Sequence, residues 1–164
     1  MIAFKMHKGD IVLSKEQTTM SWLVRKVTKS NWSHVGIYNG LGKVISSVPF
    51  RGVVYKNYGD MFDVCSNVCV YRVKDLSEEK ADEVLKFCDS KQGIKYDFAQ
   101  AALLGWRIVF NTLETAKSDP NPNNFVCSEL VAEAFHSVGI DFGKIPDNVL
   151  PGTIEKSPLT RRII

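Results

Sequence analysis

The stretch Ser33-His34-Val35-Gly36-Ile37-Tyr38-Asn39-Gly40-Leu41-Gly42-Lys43-Val44-Ile45-Ser46-Ser47-Val48 decides the fold of this 164-residue chain. Ser33 to Tyr38 is β-prone, Asn39-Gly40-Leu41-Gly42 is a turn cluster, and Lys43 to Val48 supplies a second strand, so the segment reads as a hairpin. With Gly40-Leu41 as the turn, Asn39 faces Gly42. Counting back sets His34 opposite Ser47, and a slip of one residue makes the partner Ser46. Directly opposed residues share a sheet face, so one histidine is held rigidly beside a hydroxyl.

Outward from the hairpin, the first half is strand-rich. Gly9-Asp10 opens Ile11-Val12-Leu13-Ser14, and further strands are predicted at Gly52 to Lys56 and Val68 to Val73. Between the first two strands, Thr19 to Lys29 has Met20, Leu23, Val24 and Val27 at helical spacing, which predicts a short helix packed on the sheet. The second half is helical. Ser77 is an N-cap followed by Glu78 and Glu79, and Ala81, Val84, Leu85 and Cys88 form an apolar stripe that ends at the Gly93 stop, placing Cys88 in the core. A second helix is expected over Phe98 to Asn111, then a loop rich in Pro and Asn from Ser118 to Asn124. The last helix is expected from about Phe125 to Val138, with Val126, Leu130, Ala134 and Val138 on one face and Gly139 as its stop. Strands grouped first and helices grouped last predict an α+β fold with an antiparallel sheet packed against helices, rather than alternating βαβ units.

Composition narrows the function classes. At 45% hydrophobic and 24% charged residues, the chain reads as one domain over residues 1–164. Its longest apolar stretch, Phe98 to Phe110, is interrupted by Gln100 and Arg107 and falls short of the roughly 20 residues a membrane-spanning helix needs. A packed core helix accounts for that stretch, Trp106 included, better than an acyl-pocket lining does. The segment from Met1 to Lys8 has no apolar core of signal-peptide length, so a cytoplasmic location is expected. The net charge of +3 is evenly spread and gives no basic stripe for nucleic acid. Four cysteines without a leader are expected as free thiols. Cys65 and Cys69 have a C-x3-C spacing, but no second pair of ligands stands near and His7, His34 and His136 are scattered, so neither a metal nor a cofactor is expected.

The residue that directs the chemistry is Cys127, in Asn123-Asn124-Phe125-Val126-Cys127-Ser128-Glu129-Leu130, at the start of the last helix. Free backbone N–H groups and the positive end of the helix dipole favour a thiolate there, and the thiolate is the nucleophilic form of cysteine. A thiol hydrolase also needs an imidazole and a group to orient it. His136 lies nine residues further along the same helix, about 14 Å away along the axis, and cannot reach the thiol. His7 precedes the first strand. His34 remains, with Ser46 or Ser47 as the hydroxyl beside it. The bland alternative is a buried helix cysteine with no role.

The residues Ser33-His34-Val35-Gly36-Ile37-Tyr38, Gly42-Lys43-Val44-Ile45, Tyr96-Asp97 and Phe125-Val126-Cys127-Ser128-Glu129-Leu130-Val131 resemble the permuted papain-like cysteine hydrolases of the YiiX/YaeF-like branch of the NlpC superfamily. Gly9-Asp10-Ile11-Val12 and the segment Pro146 to Pro151 fit as well, so the resemblance covers nearly the whole chain. It implies a circularly permuted papain-like fold with a barrel-like sheet. It also implies Cys127 as nucleophile, His34 as general base and Tyr96 lining the site near the acyl oxygen. Where the family commonly has a polar or acidic third residue, often glutamate, this chain has Ser46 and Ser47. Glu129 reads as exposed surface charge. The activity implied is hydrolysis of a peptide or lipid-like acyl amide through an acyl-cysteine. The alternative is a ligand-binding module that keeps the cleft after catalysis has weakened.

Overall fold

The structure, a computed structural model, describes residues 5–109, 124–143 and 146–164. In chain order the elements are β1 (Ile11–Glu16), α1 (Thr19–Thr28), β2 (His34–Tyr38), β3 (Lys43–Val48), β4 (Gly52–Asn57), α2 (Met61–Val64), β5 (Cys65–Val73) and α3 (Glu78–Ser90). They continue with β6 (Lys95–Tyr96), α4 (Phe98–Val109), β7 (Asn124–Phe125), α5 (Cys127–His136), a 3-10 turn at Pro146–Asn148, α6 (Pro151–Lys156) and β8 (Thr160–Arg162). The expected end of the second helix at Asn111, the loop from Ser118 to Asn123 and the side chain of Trp106 lie outside the described residues.

Six strands form an antiparallel sheet in the order β4-β3-β2-β1-β5-β8. The barrel-like closure expected from the sequence is not formed. β8 is three residues long and pairs only with the end of β5. The outer edge of β4 is met instead by the turn before β6, through Val53 N–H to Ile94 O at 2.8 Å and Gly93 N–H to Val53 O at 2.9 Å. Those bonds satisfy the backbone of the β4 edge at Val53.

Strand alternation divides the side chains between two faces. Ile11, Leu13, Val35, Ile37 and Ile45 share the main core with Val84 and Cys88 of α3 and with Leu130 and Phe135 of α5. Val12 and Val44 face the other way, against Met61 and Cys65. Cys88 is fully buried, as the stripe on its helix predicted, and burial pushes its thiol up to about 12. Cys65 and Cys69 sit in different clusters, so their spacing does not bring them to one site. α1 forms where its periodicity placed it, capped by Thr18 Oγ1, which accepts Ser21 N–H at 3.0 Å. Its Met20 and Leu23 are exposed rather than packed. The residue turned inward is Ser21, whose hydroxyl bonds Ser33 Oγ at 2.6 Å.

α5 differs from the amphipathic helix read from the sequence. It begins at Cys127, because Asn124–Phe125 is taken up by parallel pairing with Lys95–Tyr96, and it is buried on nearly every side from Cys127 to Phe135. A helix buried all round is central to its fold. Among the described residues, no helix is long and apolar enough to cross a membrane.

Candidate active site

The site is set by the register of β2 against β3. Tyr38 pairs with Val44 and Ile37 with Ile45, so the connection is the three-residue loop Gly40-Leu41-Gly42. Gly40 and Gly42 both take the left-handed conformation, at φ 84 and 81, and Asn39 Oδ1 accepts the N–H groups of Leu41 and Lys43. The loop is one residue longer than the turn read from the sequence. That shift exchanges the faces of the two serines. Ser46 lands beside His34, with His34 Nε2 and Ser46 Oγ 3.0 Å apart. Ser47 faces the core, where its hydroxyl donates to Phe125 O at 2.6 Å and ties β3 to the chain entering α5.

Helix α5 packs against strand β2. Tyr38 N–H donates to Asp10 O at 2.8 Å, so the even-numbered residues of β2 bond toward β1, and Val35 and Ile37 point their amides toward β3. Pairing with β3 ends at Ile37, and the Val35 N–H turns to the sulfur of Cys127. Cys127 at the first turn of α5 is therefore close enough to Val35 for that N–H to act on its thiol. Gly36 lets β2 and β3 approach closely. A Cβ there would stand 2.6 Å from Val44 Cγ1 and 2.7 Å from Ile45 O, which would push β3 and Ser46 away from His34.

Burial dominates the electrostatics. Cys127 is 8% exposed and His34 7%. Burial pushes the Cys127 thiol up to about 11, even though the N–H groups of Val35 and Ser128 bond the sulfur and favour its anion. The helix-start donors expected from the sequence are in place, but desolvation outweighs them. Burial likewise holds His34 down to about 4, with the Glu16 carboxylate pulling it up and the Lys56 ammonium pushing it down. Burial thus favours the neutral form of both the thiol and the imidazole. Tyr96 is beside Phe125 in the β6–β7 pairing, and burial, then the neighbouring Cys127, hold its phenol above the usual range. The ring of Phe98 packs on Tyr96 with centroids 5.0 Å apart, and the exposed Phe50 stacks on Phe98 at 5.1 Å.

Glu129 is not the exposed surface charge read from the sequence. It is 3% exposed and reaches back to accept Val126 N–H at 3.2 Å, half of a capping box that valine has no oxygen to complete. Burial pushes its carboxyl from 4.5 up to about 8. The folded protein thus keeps a proton on Glu129 that the unfolded chain loses above pH 4.5, and stability falls as pH rises through that window. His34, depressed from 6.5 to about 4, acts in the opposite sense and costs stability as pH falls. The two slopes offset each other up to pH 6.5. From there to pH 8 Glu129 is unopposed, and urea titrations are expected to show a loss of about 2 kcal/mol, at about 1.4 kcal/mol per pH unit. Glu129→Gln is expected to remove that decline. An unchanged decline in the variant assigns it elsewhere.

On the face of the sheet away from α5, a cavity of about 450 Å³ is lined by His34, Ser46, Glu16, Val44 and Met61 among others. Glu16 is the residue that the sequence analysis missed. It stands two residues past Ser14, the β1 partner of His34, beyond a bulge between Lys15 and Glu16. Only the β1–β2 pairing, between strands separated by a helix, brings it to the imidazole.

Comparison with known proteins meets this geometry. Residues 5–147 match the family described as permuted papain-like amidase enzyme, YaeF/YiiX, C92 family. The chain belongs to the C92 family of permuted papain-like amidases. Among solved structures, it is similar to the metalloprotein yiiX from Escherichia coli O157:H7, at a TM-score of 0.74 and 18% identity over 98% of this chain and 97% of that one. At that identity the likeness establishes the shared fold alone. None of the curated proteins compared by sequence matches. In this C92 chain no three His, Cys, Asp or Glu side chains among the described residues converge on a site that holds a metal ion. Membership carries hydrolysis as the class of chemistry.

Proposed function

We propose that this C92-family chain cleaves an acyl amide through a thioester on Cys127, with His34 as the general acid and base. The reading rests on the position of Cys127 at the first turn of α5, within reach of the N–H of Val35, the residue after His34. With the hydrogen on Nε2 donated to Ser46 Oγ, Nδ1 is the nitrogen left to accept the thiol proton. Ser46 is thus the orienting group, and Ser47 holds the chain in front of α5.

The reaction follows from these positions. Sulfur attacks the carbonyl carbon as Nδ1 takes the thiol proton, and the oxyanion is met by the Cys127 N–H and the Tyr96 hydroxyl. The tetrahedral adduct collapses as His34 passes its proton to the amide nitrogen. The C–N bond breaks and the amine leaves. Water, giving its proton to Nδ1, attacks the thioester, and the acid departs as sulfur recovers a proton. The aromatic run Tyr96, Phe98 and Phe50 gives an apolar acyl chain a surface leading out from the sulfur. Peptide and lipid-like acyl amides both satisfy this scheme. The test is to quench turnover of a fatty N-acyl amide and of an acyl peptide in acid and weigh the intact protein. An acyl adduct mapping to the Cys127 peptide is the expected result, and turnover without a thioester at Cys127 rejects the mechanism.

A second reading, a ligand-binding module built on the same cleft, draws support from the neutral thiol and imidazole that burial favours and from a serine in the orienting position. It predicts ligand binding with no adduct on any acyl probe.

A further inference from the structure

The cavity beside His34 has a charge pattern of its own. Its apolar lining includes the buried Val44, Met61 and Cys65, and Lys43, Arg51 and Lys56 line it as well. Lys56 is half-buried and stands on β4 opposite Val44, close enough to act on the His34 imidazole. Among the described residues, none of the three cations pairs with a carboxylate, whereas Lys8 and Arg72 elsewhere do. Of the two acids on the wall, Asp60 accepts from Asn57 Nδ2 at 2.9 Å, and Glu16 is the carboxylate acting on His34. A half-buried ammonium beside apolar side chains loses hydration without the compensation of a counter-ion. An anionic ligand group supplies it.

Position says which part of a substrate that group belongs to. In the acyl-cysteine scheme, His34 gives its proton from Nδ1, so the departing nitrogen sits at Nδ1 and the rest of the amine extends past the imidazole, away from the sulfur. The cavity is on that side: it is lined by His34 and Ser46 and not by Cys127. Resting on the proposed hydrolase reading, we infer that this cavity binds the amine portion of the substrate and selects one bearing an anion, carboxylate or phosphate, held by Lys56 with Arg51 and Lys43 adding to the field. The substrates that fit are N-acyl amino acids, acyl peptides with an acidic group just past the scissile bond, and N-acyl phosphoethanolamines. The aromatic run takes the acyl chain at the other side.

The test separates binding from turnover. Cys127→Ala protein is titrated calorimetrically with N-hexanoylglycine and its uncharged carboxamide, and with N-hexanoylphosphoethanolamine and the phosphate-free N-hexanoylethanolamine. In each pair the anionic probe is expected to bind about tenfold tighter, the size of one hydrogen bond to a charged group. The pair with the larger ratio identifies carboxylate or phosphate as the anion. Adding Lys56→Gln to the Cys127→Ala background is expected to erase the preference while the thermal midpoint stays unchanged. Equal affinity for charged and neutral probes overturns the inference, as does a preference that survives Lys56→Gln combined with Arg51→Gln. Selective binding of the anionic probes with no adduct or turnover in the unsubstituted protein sinks the hydrolase reading and leaves the ligand class of the cavity standing.

Discussion

Cys127→Ala is expected to abolish release of amine from an N-acyl amide, by about 10⁴-fold or more, and His34→Ala to slow it by about 10²- to 10⁴-fold. The two losses differ because the roles differ. Without the sulfur no thioester forms, and the remaining N–H groups polarise a carbonyl with nothing to attack it. Without the imidazole the sulfur remains, but its proton has no acceptor and the departing nitrogen no donor. The double variant is expected to be no worse than Cys127→Ala, because the two groups act as one unit. Stability should change little in Cys127→Ala, which trims one buried sulfur, so far-UV circular dichroism and the thermal midpoint distinguish lost chemistry from lost structure. Cys127→Ala protein retaining more than a small fraction of the activity removes the thiol from the mechanism.

How far the fold and the proposed site were legible in the sequence follows from the range of each interaction. Helices α1 and α3 and the hairpin were legible because their signals are local: caps, turn glycines and apolar spacing lie within a dozen residues of what they specify. The pairing of Cys127 with His34 was reached by eliminating the other two histidines and by family resemblance. The contact that supports it, Val35 N–H to sulfur, joins residues 92 positions apart and leaves no mark in either segment. Ser46 and Ser47 were both named, and one residue of loop length decided between them. Open-sheet topology, Glu16 beside the imidazole and the burial of Glu129 all depend on how distant strands and helices pack. A carboxylate in an ordinary helical position reads as surface until the packing around it is known.

The same packing yields the most counter-intuitive expected result. A helix-start cysteine next to a histidine suggests an ion pair that alkylates rapidly below pH 7, and the structure predicts the reverse. With burial holding Cys127 up to about 11 and His34 down to about 4, the resting protein at pH 7 carries roughly 300-fold less thiolate than a free cysteine with a pKa of about 8.5. A more basic thiolate is also the better nucleophile, which recovers roughly tenfold. Carbamidomethylation of Cys127 by iodoacetamide, followed on its own peptide because Cys65, Cys69 and Cys88 are also free, is therefore expected to run about 30-fold slower than that of glutathione at pH 7. Its rate should climb tenfold per pH unit without a plateau below about pH 10, and His34→Ala should leave that slope unchanged. A fast phase below pH 7 that vanishes in His34→Ala means that the ion pair exists at rest. If the slow profile holds, the proton passes from sulfur to Nδ1 only as the carbon–sulfur bond forms, where the N–H of Cys127 stabilises charge moving onto the substrate oxygen. The neutral pair is then the active form of the free enzyme, and kcat/KM for an N-acyl amide should lack the acid limb between pH 5 and 7 that an ordinary histidine would impose.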